Sequence, residues 1–323
     1  MRVLDIAINS IQFLSLREKI LLKKNIDSLS ELVILSKEKL SSIVQTKHPR
    51  AVWNPEVIAA TAEKSFDIMQ AKEIKGVCFG EAGYPVLLSL INDAPYAIFF
   101  RGSLECLSKP CVSVVGTRRI CTNTAQATLD FSRNACLCGQ TVVSGLANGI
   151  DSFAHKGALS SEVGCCTAAV LPCGIETVVP YGNRHLAAKI ISDGGAVLSE
   201  YIPGTPAEVY RFVQRNRLVA ALSSATVVIQ APPASGALIT ADFALGYNRD
   251  VMVHSAAFCE QAKRESAKVA FFAGKNENTL ERFLEEGAPL INNYADYVSA
   301  RRDAPGTHVC KKTVQLELGL EYG

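Results

Sequence analysis

Residues 113–119 read Ser-Val-Val-Gly-Thr-Arg-Arg, and residues 143–151 read Val-Ser-Gly-Leu-Ala-Asn-Gly-Ile-Asp. Each is an apolar run that stops in small residues. Cations follow the first, and an acid opens a helical stretch after the second. This is the layout of a phosphate-binding strand–loop–helix junction: glycine lets a backbone approach an anion, and a helix N-terminus presents unpaired N–H groups and a positive dipole end. The layout recurs at Cys173-Gly174, at Glu200-Tyr201 with Gly204, and at Ser235-Gly236, with Thr240 one turn further on. One such loop is equally a tight turn that packs a helix on a sheet. Its repetition beside arginines points to an anion pocket.

Outward from these loops, the pattern predicts strands over 111–115, 141–144, 166–171, 196–199, 225–230 and 251–254. Helices are expected over 122–137, 152–159, 183–192, 209–222 and 238–245. The strands are apolar throughout rather than alternating, so both faces are covered. The fold class that follows is α/β, a Rossmann-like, doubly wound, mostly parallel sheet. Ligands of such sheets bind beyond the carboxyl ends of the strands. That rule gathers Gly116, Thr117, Arg118, Arg119, Ser144, Gly145, Asn148, Gly149, Gly174, Ser235 and Gly236 as anion-binding residues. Arg118 offers a planar fork for phosphate. Arg215 and Arg217 flank Asn216 in an otherwise apolar helix. Two arginines there are costly unless they pair with acids such as Asp151 or Glu200, or face a ligand. Both roles stay open.

The first 73 residues are helical in pattern. Ser15 and Glu18 form a capping box ahead of a helix over 16–25, leucines 29, 32, 35 and 40 repeat at helical spacing through 28–44, and a third helix runs over 56–72. Such short helices resemble a SAM or helix-hairpin-helix module, although the hairpin glycine used against DNA phosphates is missing. The expected organisation is an all-helical domain over 1–73, the Rossmann-like domain over 74–298, and a tail over 299–323. Residues 84–110 read as a bridge and 301–308 as a flexible linker. Val314, Leu316, Leu318 and Leu320 alternate with polar or small residues as a period-two strand.

Hydrophobic residues make up 48% of the chain and charged residues 20%, which places it among ordinary folded proteins. A net charge of +2 excludes a generally basic binder, so any nucleic-acid affinity rests on a local patch. The chain has eleven Cys but no C-x-x-C pair and no His cluster to complete a metal site. They read as buried, reduced thiols, which implies the cytosol. The N-terminus does not read as a signal peptide, and no apolar stretch is long enough to span a bilayer. A phosphate-binding G-x-x-x-x-G-K-[ST] and a dinucleotide-binding G-x-G-x-x-G are both absent, so no cofactor is expected. His155, Asp151 and Ser144 could be drawn as a triad, but the acid is better used at its helix start or as an arginine partner.

Taken together, the motifs resemble the DNA-processing protein A family (DprA, also called Smf). They are Tyr84-Pro85, Val115-Gly116-Thr117-Arg118, Ser144-Gly145-Leu146-Ala147 with Gly149-Ile150-Asp151, Ala154-His155, Gly157-Ala158-Leu159, Ala169-Val170-Leu171, Ser199-Glu200-Tyr201, Arg215-Asn216-Arg217, Leu222-Ser223 and Ser235-Gly236-Ala237-Leu238-Ile239-Thr240-Ala241, in order over about 84–254. The resemblance implies a cytosolic, non-catalytic protein that binds single-stranded DNA, protects incoming strands in natural transformation, and loads the recombinase RecA. It also implies a homodimer, a phosphate contact by Arg118 and a strand-cradling loop over 144–149. Departures from the family pattern are Asn148 where an arginine is usual, Val179-Pro180 with Tyr181 in place of a common lysine, Gln230 in place of an acid, and Ser255-Ala256 in place of Pro-Gly. No winged helix is expected after 298. Tyr181, Tyr201 and Phe153 are the expected base-stacking residues. The competing function is a nucleotide-binding or nucleotide-hydrolysing protein on a related sheet. The glutamate which such hydrolases carry falls at Thr240 here.

Overall fold

The computed structural model describes residues 1–164, 166–273 and 278–303. The chain opens with helices α1 (Val3–Ser10), α2 (Leu16–Asn25), α3 (Leu29–Val33), α4 (Lys37–Val44) and α5 (Pro55–Ala71). It continues through β1 (Lys75–Cys78), α6 (Val86–Ser89), β2 (Ala97–Gly102), β3 (Cys111–Gly116), α7 (Thr122–Leu137), β4 (Thr141–Ser144), α8 (Ile150–Leu159), β5 (Thr167–Val170), α9 (Arg184–Ser192), β6 (Ala196–Ser199), α10 (Val209–Ala221) and β7 (Ala225–Gln230). It closes with α11 (Gly236–Gly246), β8 (Asp250–His254), α12 (Glu260–Ala273), α13 (Leu280–Glu285), β9 (Leu290–Ile291) and α14 (Tyr294–Asp303).

The strands form one nine-stranded sheet in the order β1-β2-β6-β5-β4-β3-β7-β8-β9. From β6 to β9 every pairing is parallel, while β1 and β2 are antiparallel additions at one edge. Successive side chains leave opposite faces and both faces are buried. Val112, Val114, Val142, Val227 and Ile229 pack under α7, α8 and α14. Val115, Val143, Val228 and Val253 pack under α10 and α11. Ala169, Val197 and Phe99 share a core with α9 and the N-terminal helices, through Ile6, Ile8, Leu22 and Met69. Each such side chain contributes roughly 1.5–3 kcal/mol by leaving water.

The described structure departs from the sequence expectation in three places. The leucine repeat over 28–44 is two helices, because Ser36 accepts the Lys39 N–H and starts α4 afresh. The bridge over 84–110 holds β2, whose Phe99 and Ile98 are fully buried between β1 and β6. Helix α14 covers Arg301, the expected start of a linker, and is anchored by Tyr294 and Tyr297 against Phe131 at ring distances of 5.6 and 5.5 Å. The alternating segment 314–320 and Cys165 lie outside the described residues.

Candidate nucleic-acid interface

From β3 the chain winds through β4, β5 and β6 on one side, then returns across to β7, β8 and β9 on the other. The loops after β3 and β7 therefore diverge, and the crevice between them is where an open α/β sheet binds ligands. A cleft of about 700 Å³ lies there. Its lining holds four cations, Arg118, Arg119, Arg215 and Lys268, against one acid, Asp151. A larger hollow of about 850 Å³ at the β1 edge holds Lys75 against Glu81 and Glu105 and lies away from the strand ends, so charge and topology both favour the cleft.

One bank and the floor are sealed by internal bonds. Ser144 Oγ donates to Val114 O at 2.7 Å. The N–H groups of Gly145 and Ala147 donate to Asp151 Oδ2 at 3.2 and 3.4 Å. The start of α8 is already served: Ile150 N–H donates to Thr117 O, and Ser152 N–H to Ala147 O. Thr117 N–H in turn donates to Gln230 O at 2.7 Å. The glycines are spent on close approach. A Cβ on Gly149, whose φ is +80°, would lie 2.3 Å from Thr117 O, and one on Gly145 would lie 1.9 Å from Arg215 NH1. A Cβ on Gly116 would lie 2.4 Å from Ile150 Cγ1. Arg215 fills the space that Gly145 leaves and donates to Val170 O at 2.5 Å. Its Nε has no partner among the described residues, and burial lowers its pKa against the pull of Asp151. Burial raises the Asp151 carboxyl, opposed by Arg215 and the loop amides.

The opposite bank is open. Helix α11 begins at Gly236, and the N–H groups of Gly236 and Ala237 have no carbonyl ahead of them in the helix. Ser235 Oγ is buried with no hydrogen-bond partner among the described residues. Arg118 and Arg119 are exposed, and no ion pair to either is found among the described residues. The Arg118 guanidinium rests 5.5 Å over the Phe212 ring, and Arg119 N–H is tied to Thr117 Oγ1 at 3.1 Å. Exposed cations, a helix dipole and a hydroxyl without a partner among the described residues thus border one volume, an arrangement suited to phosphate oxygens.

The family model for DNA recombination-mediator protein A matches residues 75–300. The chain belongs to that family. It is 32% identical over 312 residues to protein Smf of Borreliella burgdorferi, covering 97% of this chain and 96% of that protein. It is 39% identical over 168 residues to the DNA processing protein DprA of Streptococcus pneumoniae, covering 52% of this chain and 58% of that one. The crystal structure of DprA from Streptococcus pneumoniae superposes with a TM-score of 0.68 at 26% identity, covering 93% of this chain and 98% of that chain. A DprA structure from Helicobacter pylori, described for its single-stranded DNA binding mode, gives 0.58 at 26% identity over 71% of this chain and 95% of that chain.

Within this DprA fold, not every residue singled out from sequence reaches the cleft. Gly116, Thr117, Arg118, Arg119, Gly145, Arg215, Ser235 and Gly236 line it. Ser144 and Gly149 lie beneath it. Asn148 is exposed beyond the lining, its Oδ1 accepting from Asn183 Nδ2 at 3.5 Å. Gly174 donates its N–H to Thr205 O. Arg217 points elsewhere, forming ion pairs with Glu200 and, at 3.6 Å, with Asp93. Tyr181, Tyr201 and Phe153 do not line the cleft, and each carries a cation over its ring. The apolar lining comes instead from Val209, Phe212 and Val213 on α10. Val209 and Val213 are exposed and Phe212 is half-buried, on the helix that carries the arginines. His155 is fully buried, bonded to Thr167 Oγ1 at 2.7 Å, and held neutral by burial and the Arg215 charge, which bring its pKa to about 3. It lies outside the cleft lining, and the triad drawn from sequence does not assemble. No group of metal-ligating residues is found, and no helix is long and apolar enough to cross a membrane, among the described residues.

Proposed function

We propose that this chain binds single-stranded DNA in the cleft, with no bond made or broken, and acts in the cytosol as a recombination mediator that protects strands and hands them to RecA. The observation that carries this reading is the pair of exposed arginines, without ion pairs among the described residues, at the mouth of a cleft banked on one side by the open start of α11. Arg118, Arg119, Lys268 and the α11 amides take phosphate oxygens. Phe212, Val209 and Val213 face the bases, so sequence preference is weak. The Helicobacter relative's single-strand binding supports the ligand class.

Fluorescence anisotropy with dT oligonucleotides tests it. Three cation–phosphate contacts give a slope of about −2 for log K against log salt on a single strand. Salt-independent binding, or AMP displacing the strand with equal affinity and being cleaved, would favour the nucleotide-binding alternative. A homodimer and a RecA contact are parts of the same proposal. Sedimentation of the chain alone, and with RecA, checks each, and a monomer that leaves the RecA boundary unmoved would remove them.

A further inference from the structure

Two thiols far apart in sequence meet beside the cleft. Cys121 is the N-cap residue of α7, and Cys259 immediately precedes α12. Their Sγ atoms lie 3.8 Å apart. Cys259 Sγ accepts the Ala262 N–H at 3.4 Å, so it caps α12. Cys121 Sγ touches Thr124 Oγ1 at 3.3 Å, and its own N–H donates to that hydroxyl. Each sulfur therefore sits at the positive end of a helix. Burial pushes the Cys121 thiol up, but hydrogen bonds from Thr124 and Cys259 and the Asn123 amide outweigh it, and the net shift is downward. Cys121 is buried while Cys259 is partly exposed, so a reagent reaches the pair from the Cys259 side.

We propose that Cys121 and Cys259 are a redox-active pair that takes a hydroperoxide and closes to a reversible disulfide, narrowing the cleft. The Cys259 thiolate attacks the peroxide oxygen, becomes the sulfenic acid and releases the alcohol, or water when the oxidant is hydrogen peroxide. The Cys121 thiolate then attacks that sulfur and displaces water. Two thiols lose two electrons and two protons; the peroxide gains them. Closing from 3.8 Å to a bonded sulfur pair draws the sulfurs together by about 1.8 Å. Arg118 and Arg119 lie three and two residues before Cys121, and Lys268 stands on α12, so the bond ties together two cation-bearing segments of the cleft lining. A bound strand needs the space that this contraction removes; that consequence rests on the cleft being the strand site.

The test uses the full chain. Binding of dT oligonucleotide is measured first on the reduced protein, then after hydrogen peroxide, alkylation of free thiols and peptide mapping. The expected result is a Cys121–Cys259 linked peptide, a fall in strand affinity of about threefold or more, and reversal of both by dithiothreitol. Cys121→Ser and Cys259→Ser, which keep a capping oxygen, bind as the reduced protein does and lose the response. A different linkage, a linked peptide without a change in affinity, or a response that survives in Cys259→Ser would overturn the proposal. Reduced protein that fails to bind dT at all would instead defeat the proposed function, and the mapped linkage would then decide the thiol chemistry alone.

Discussion

The junction after β4 and the junction after β7 read alike in sequence: small residues close an apolar strand ahead of a helix. The fold uses them differently. After β4, the loop amides, the Ser144 hydroxyl and the first N–H groups of α8 are engaged by Asp151, Val114, Thr117 and Ala147. After β7, the first N–H groups of α11 and the Ser235 hydroxyl face the cleft without protein partners among the described residues. Glycine-rich loops at helix starts thus serve two ends, holding the fold together and leaving donors free, and only the partner of each N–H distinguishes them.

The largest effect expected from this contrast is at Gly149. Its φ of +80° and the 2.3 Å approach of Thr117 O leave no room for a side chain, so Gly149→Ala loses on the order of 3 kcal/mol of stability. Gly236→Ala meets nothing closer than Asn216 Nδ2 at 3.5 Å and stays within about 1 kcal/mol of the parent. Thermal melts that place the two variants together would break the comparison.

The sealed side also sets an acid limit. Unfolded His155 takes up a proton below its ordinary pKa of 6.5, whereas the folded one stays neutral to about 3. The unfolded state therefore binds more protons across that window, and stability falls as pH falls from 6.5 toward 3. His155→Gln flattens that part of the curve of melting temperature against pH. The loss that remains belongs in part to Glu18, where burial would raise the pKa but hydrogen bonds from Ser15 hold it at about 2, so its contribution is lost as pH falls from 4.5 through 2. A variant curve parallel to the parent's would show that His155 is not the group responsible.

On the open side, Arg118→Ala removes a charge-assisted phosphate contact and weakens strand binding by about 1.5–3 kcal/mol with the melt unchanged. It also lowers the magnitude of the salt slope by about 0.7, the share of one contact on a single strand. Unchanged affinity in an anisotropy titration would remove Arg118 from the site.

Much of this was legible because apolar strands and capped helices are local signals. The parallel sheet from β3 to β8 follows from uninterrupted runs such as 225–230, and the cleft position follows from topology alone. Strand β2 escaped notice because its partners, β1 and β6, are not next to each other in sequence. Gly145 stood out as a phosphate glycine, yet its missing Cβ makes room for Arg215, a contact between distant segments. Arg215 and Arg217 are indistinguishable in sequence; the turn of α10 sends one under the cleft and the other to Glu200. Phe212 was passed over because it sits in the first turn of a helix whose apolar residues read as packing inward. The Cys121–Cys259 contact joins segments with no shared local pattern.

The two serines separate the two junctions most cleanly, and the Ser235 effect is the smallest expected. Ser144→Ala leaves Val114 O short of a donor inside the core, so it destabilises the fold by about 1–3 kcal/mol and changes strand affinity little. Ser235→Ala removes a hydroxyl with no partner among the described residues, so the melt is unchanged, but strand binding weakens by about 0.5–1.5 kcal/mol as a donor to phosphate is lost. Ser144 ends β4 and Ser235 is the N-cap residue of α11, so each stands in a strand-to-helix junction, and hydroxyl chemistry alone gives neither an advantage. A crossed outcome, with Ser235→Ala lowering the melt and Ser144→Ala weakening binding, would mean that the sealed loop opens to hold the strand and that the α11 start serves the core.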